Sequence, residues 1–242
     1  MPAPLVKLAT APDLVDRVYR ALLDAIVDGS MAAGARLTQD DIARQLAVSR
    51  QPVLQALRLL KADGLLLDAP GRGLLVAPLN GEGIADVYQV RAALDRLAAR
   101  LAAQRRAVLP PGLIERGRQA LRGHDVAALI DADAAFHDAI YLASGNPMIG
   151  PSAHVHWHHI RRAMGQVLRR AGLRETVWDE HQAIAAAIAR GDADLAEQLI
   201  AGHDQRASEF MRQQLGPADP AEDPIPQPGD DDETQRRTAR AI

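Results

Sequence analysis

Four residues in the second half of the chain have the types and spacing to hold a divalent metal. Asp133 and His137 stand four apart in DADAAFH, so a helix presents both from one side. His181 and His203 flank the pair Gly191-Asp192, ten residues before the glycine and eleven after the aspartate. On two antiparallel helices joined at that turn, a rise of ~1.5 Å per residue sets the two imidazoles at nearly equal height, ~15 to ~16 Å from it. One carboxylate oxygen and three imidazole nitrogens suit zinc first, with nickel, manganese or iron also compatible. The alternative is that these are ordinary solvated or hydrogen-bonded side chains. The chain has no cysteine, which excludes thiolate sites and disulfides.

Other candidates lie nearby. The run HVHWHHIRR holds His154, His156, His158 and His159, with His154 and His158 on one helix face and His156 and His159 on another. It reads as a solvent-facing, pH-sensitive patch rather than a second metal site, although one of its rings could reach an effector cavity. Arg91 could clamp a carboxylate or pair with an acid inside a helical bundle. His137-Asp138 and His203-Asp204 are adjacent His-Asp pairs of the kind that ligate metal in HD-type phosphohydrolases. Neighbours on a helix diverge by about 100°, so Asp138 and Asp204 should point away from a site built by the four residues above.

The elements that must position these residues are helices. Aromatic residues make up only 3% of the chain and alanine is abundant, which favours a mainly α fold packed through small side chains. Helical periodicity covers 84–103, 112–121, 126–143, 148–170, 175–190 and 192–215. Pro110-Pro111, Gly123, Gly145-Asn146-Pro147, Gly172 and Gly191 punctuate these segments. Short turns between them predict an antiparallel bundle of six to seven helices.

The first third reads differently. A helix over 13–28 is followed by a connector at 32–37, and Thr38 with Asp41 forms a capping-box start for a short helix at 39–46. Its buried face is expected to carry Ile42 and Leu46. After Ala47-Val48 comes a helix whose N-cap is Ser49, whose first turn holds Pro52 and whose end is marked by Gly64. Val53, Leu57 and Leu60 repeat on its buried face, while Gln51, Leu54, Gln55 and Arg58 line the other, headed by Arg50. Two short helices joined this way, the second polar outside, predict a helix-turn-helix with the second helix in a DNA major groove. Strands at 65–67 and 74–76 around Pro70-Gly71-Arg72-Gly73 predict a hairpin wing with Arg72 at its tip.

Arg36-Leu37, Ile42-Ala43, Leu46, Val48-Ser49-Arg50, Pro52-Val53, Ala56-Leu57, Gly64-Leu65, Arg72-Gly73 and Val76 resemble the winged helix-turn-helix of GntR-type transcription regulators. The chain departs from that pattern at Leu54, where the family generally has a DNA-contacting arginine. Thr38, Ser49, Arg50, Gln51, Gln55, Arg58, Arg72 and Gly73 are the DNA contacts that reading implies. The helical half carries Arg91-x-x-Leu94-Asp95, Asp133-x-x-Phe136-His137, Ser144-Gly145-Asn146, Glu180-His181, Gly191-Asp192 and His203. It resembles the FCD ligand-binding domain of the FadR-like branch, with Asp95 in place of the usual glutamate. That resemblance implies a divalent metal on Asp133, His137, His181 and His203, and a small organic acid as effector beside it. Arg91, Asn146 and His158 are the candidate effector contacts.

The expected organisation is an arm at 1–12, a winged helix-turn-helix at 13–78, a linker at 79–83, the helical domain at 84–215 and a disordered acidic, proline-rich tail at 216–242. The formal charge of −3 is unlike a nucleic-acid binder, but residues 217–242 hold seven acids against three arginines and leave the rest at +1. No apolar run approaches 20 residues and no signal-peptide pattern opens the chain, so a cytoplasmic protein without membrane contact is expected. The function expected is a homodimeric regulator, acting as a repressor on double-stranded operator DNA, with effector binding transmitted to the reading heads through the linker. An HD-type phosphohydrolase and a purely structural dimerising bundle are the alternatives.

Overall fold

The computed structural model describes residues 14–171 and 176–217, so the arm and nearly all of the tail lie outside the described residues. In chain order the elements are α1 (Leu14–Val27), β1 (Arg36–Leu37), α2 (Gln39–Gln45), α3 (Arg50–Ala62), β2 (Leu66–Asp68), β3 (Leu74–Val76) and α4 (Gly81–Gln104). They continue with α5 (Leu113–Arg122), α6 (Val126–Ser144), α7 (Ile149–Ala171), α8 (Val177–Arg190) and α9 (Ala193–Leu215).

The N-terminal unit packs α1 against α3, with Val18, Leu22, Ile26, Val53, Leu57, Leu60 and Val76 buried together. Thr38 caps α2 by accepting from the Asp41 amide at 3.2 Å and donating to the Asp41 carboxylate at 2.7 Å. Leu46, expected inside, is 37% exposed, because the helix has already ended at Gln45. Ala47 then takes a left-handed φ of 52° to turn the chain into α3. Ser49 does stand at the N-cap of α3, but its hydroxyl makes no capping hydrogen bond. The physical reason lies three residues on: an N-cap side chain accepts from the second or third helical amide, and the third helical residue is Pro52, which has none.

The wing has one more strand than the periodicity shows. β1 pairs antiparallel with β3 (Arg36 opposite Leu75, Leu37 opposite Leu74), and β2 pairs on the other side of β3, giving the order β1-β3-β2. Two residues are too short for any alternation to register, so the periodicity shows only a connector at β1. β2 begins one residue later than expected because Leu65, fully buried, is still tied to the helix end through its amide to the Leu60 carbonyl.

The remaining helices form the bundle. Ala98, Ala99, Ala102 and Ala103 are fully buried on α4 and let it lie close along α9, and Ile184, Ile188 and Ile200 fill the space around them. A second cluster holds Ile84, Tyr88, Trp157, Ile160 and Val167. α4 starts at Gly81, not at residue 84, and Asn80 caps it by accepting from the Gly83 amide at 2.8 Å. Gly81 also bonds through its amide to the Gly216 carbonyl at 2.8 Å, and a Cβ there would come within 2.5 Å of the Arg212 carbonyl oxygen. Most of the expected linker is therefore helix, clamped to the end of α9. Among the described residues no helix is long and apolar enough to cross a membrane.

Candidate metal centre and nucleic-acid face

Asp133 and His137 project from one face of α6, His181 from α8 and His203 from α9. All four are buried, and one ligand atom from each lies within 4.8 Å of the others. His181 Nε2 is 3.3 Å from His203 Nε2 and 3.5 Å from an Asp133 carboxylate oxygen. Gathering so many lone pairs in an apolar interior is unfavourable unless something shares them. His137 Nε2 has no hydrogen-bond partner, and its burial, with Arg91 nearby, lowers its pKa and keeps the ring neutral, as a ligand must be.

Further groups aim these ligands. His203 donates through Nδ1 to Glu180 at 2.9 Å, which leaves Nε2 with the lone pair. Glu180 is steadied by Arg206 at 2.9 Å. His137 Nδ1 lies 3.3 Å from Asp95, close enough for electrostatic attraction although not aligned as a hydrogen bond. Burial opposes the Asp95 charge, but the Arg91 guanidinium at 3.0 Å holds its pKa well below the usual carboxylate range. Phe136 stacks on His181 at 4.1 Å and Trp178 meets it edge-on at 4.7 Å. Spacing along one helix does not reveal the role of Glu180, because it acts across a helix–helix gap.

The candidate effector residues separate. Arg91 is buried, ion-paired with Asp95, and lies over the Trp157 ring at 4.3 Å. It nevertheless borders a cavity of about 30 Å³ that Tyr88, Asp133, His203, Phe210 and Met211 also line. Asn146 is elsewhere: its side-chain oxygen accepts from the Met148 amide at 3.0 Å in the turn between α6 and α7. His158 is also outside the cavity, on the side of α7 that faces the N-terminal unit, where Asp63 and Asp24 bear on it. Larger hollows on the surface, such as that lined by Arg96, Glu197 and Arg206, hold no comparable ligand set among the described residues. Of the two adjacent aspartates, Asp138 points outward to His154 at 2.9 Å. Asp204 is buried, its charge opposed first by burial and then by Asp95, so its pKa is raised. Neither belongs to the ligand set.

On the N-terminal unit Thr38, Ser49, Arg50, Gln51, Gln55, Arg58, Arg72 and Gly73 are all exposed, and so is Leu54. Arg50 is held by Asp40 at 2.8 Å. Arg36, which sequence reasoning did not place in this face, clasps the wing turn by donating to the carbonyls of Pro70 and Arg72.

A winged helix-turn-helix joined to a helical bundle with a buried carboxylate–histidine cluster defines a class of bacterial transcription regulator, and the comparisons agree on that class. Residues 14–76 match the model of the bacterial regulatory proteins of the gntR family, and residues 86–206 match the FCD domain. The chain belongs to the gntR family, with an FCD domain as its second half. It is 30% identical over 196 residues to an uncharacterized HTH-type transcriptional regulator in an unstable DNA locus of Streptomyces ambofaciens, covering 77% of this chain and 80% of that one. It is 27% identical over 203 residues to a probable D-xylose utilization operon transcriptional repressor of Paenarthrobacter nicotinovorans, covering 81% and 88%. Among solved structures, E. coli McbR/YncC superposes with a TM-score of 0.69 at 22% identity, over 86% of this chain and all of that one, a likeness of fold. The protein is thus a transcription regulator and not an enzyme.

Proposed function

We propose that this regulator represses transcription as a homodimer on a two-fold operator, under control of a small organic acid bound beside a divalent metal. The observation that carries the reading is the buried convergence of Asp133, His137, His181 and His203 from three helices of the bundle. These residues would hold the ion, zinc first, with nickel, manganese or iron as alternatives. When bound, it would supply a Lewis-acid anchor for one oxygen of a carboxylate. Arg91 borders the adjoining cavity and would face the rest of the acid, its charge partly spent on Asp95. Each chain carries one helix-turn-helix, so two copies are needed to read both half-sites. Thr38, Ser49, Arg50, Gln51, Gln55, Arg58, Arg72 and Gly73 form the face that would meet DNA.

The cavity bears on mechanism. Its accessible space is only about 30 Å³, so an organic acid would enter by pushing lining side chains aside. Met164, Phe210 and Met211 line it, and methionine is the side chain that repacks most readily. The direct test is thermal unfolding with zinc and a panel of small carboxylic acids, repeated with chelator. Stabilisation by particular acids that chelation abolishes is the expected result. Unchanged metal content in His181→Ala and His203→Ala proteins would remove the site from the account.

A further inference from the structure

The geometry points to α7 as the lever that couples the effector site to the reading head, with His159 and Arg162 as its joint. This rests on the proposed metal and effector site, and it moves the coupling away from the 79–83 connection, which is largely helix and clamped. α7 touches both ends of the path. Toward the site, Trp157 packs edge-on against His137 with centroids 5.6 Å apart and lies 4.3 Å beneath the Arg91 guanidinium, while Met164 lines the cavity. Toward the head, His159 Nε2 donates to the Asp63 carbonyl at 2.7 Å. Asp63 is the C-cap of α3, the helix that would enter the groove, and its carboxylate is held by the Tyr19 hydroxyl at 2.7 Å. Arg162 donates to the Ala77 carbonyl at 2.6 Å, just past β3, the central strand of the wing.

Arg162 is a costly way to make one hydrogen bond. It is buried, and desolvation alone pulls its pKa down to about 10, with no carboxylate contributing among the described residues. A joint of this kind holds one orientation firmly. The His159 ring also lies over Gly64, its ring carbon 3.6 Å from where a Cβ would stand, while the hydrogen bond to Asp63 is what ties it to the end of α3. At Gly165 α7 lies beside the end of α1, where a Cβ would stand in ordinary contact, 3.7 Å from the Val27 carbonyl oxygen. Packed helices shift as rigid bodies rather than deforming gradually, so side chains pushed aside at Met164 would carry His159 and Arg162 with them.

Hydrogen exchange of the full chain with and without zinc tests this. In the wild type, zinc should slow exchange around 133–137, 181 and 203, and also across 59–77, by about fivefold or more, the lower end of ordinary coupling. In His159→Ala and in Arg162→Ala, the response at the ligands should remain while that across 59–77 is lost. His159→Gln, which keeps a donor, should restore it. An unchanged response across 59–77 in both alanine proteins overturns the lever, as does a wild-type response confined to the ligands, and either leaves the metal site standing. No wild-type response at the ligands would take down the metal site and the lever together.

Discussion

At the residue scale, the four candidate ligands work only because other side chains aim them. Glu180 accepts from His203 Nδ1 and so sets its tautomer, a role that ordinarily changes metal affinity by about 10- to 100-fold. Glu180→Ala should therefore weaken zinc binding by that order in calorimetric titration, without removing a ligand. On the proposed DNA face, Leu54 is exposed near Arg58. Leu54→Arg should tighten binding to duplex DNA and steepen the logarithmic salt dependence by about 0.9 for one added phosphate contact. An unchanged slope in anisotropy titrations would mean that Leu54 does not face the groove. Both residues were visible in the sequence, but only Leu54 could be given a role from it. Glu180 acts on a histidine 23 positions away, across a gap between helices.

At the element scale, small residues decide how closely helices approach the site. Gly117 on α5 faces the Trp178 indole so tightly that a Cβ would come within 2.0 Å of the ring, and that ring packs on His181. Gly117→Ala must displace a fully buried tryptophan. Overpacking of this kind costs about 1–3 kcal/mol, and here it should also reduce zinc affinity because His181 loses its backing. A chemical denaturation midpoint that stays at the wild-type value would refute the contact. Thr38→Ala, by contrast, should cost about 1 kcal/mol in the N-terminal unit and leave zinc binding alone. The helices of the bundle and the helix-turn-helix were legible because each has clear periodicity and stops. β1 was not, since its two residues exist as strand only through pairing with β3.

At the scale of the whole molecule, the histidine-rich stretch divides: His158 and His159 lie against the N-terminal unit, while His154 stays exposed beside Asp138. His159 is buried enough that desolvation lowers its pKa, opposed by the Asp63 carbonyl and reinforced by Arg162, His158 and His156. The sign follows: the unfolded ring takes up a proton near its ordinary ~6.5, while the folded ring resists it. The contribution of His159 to stability is therefore complete above that value and is lost as pH falls below it. Melting temperatures between pH 7 and pH 5 should fall less steeply in His159→Gln than in the wild type. At wild-type pH 7, zinc at about 100 times its dissociation constant should stabilise the fold by about 2.7 kcal/mol, reversed by chelation. No shift in melting temperature would argue against a structural ion.

The sequence by itself determined the mainly helical fold, the winged helix-turn-helix and the pairing of Asp133 with His137, because these depend on periodicities and stops that operate within a few turns of chain. It also brought His181 and His203 to comparable height, since a short turn between antiparallel helices leaves little freedom in register. The tertiary structure alone decided what those residues meet. It put Asp95 and Glu180 behind the histidines, took Asn146 and His158 out of the cavity, and buried Asp204. It also laid α7 between the cluster and the end of α3. Each of these depends on the rotation and packing of helices far apart in the chain, which no local pattern encodes.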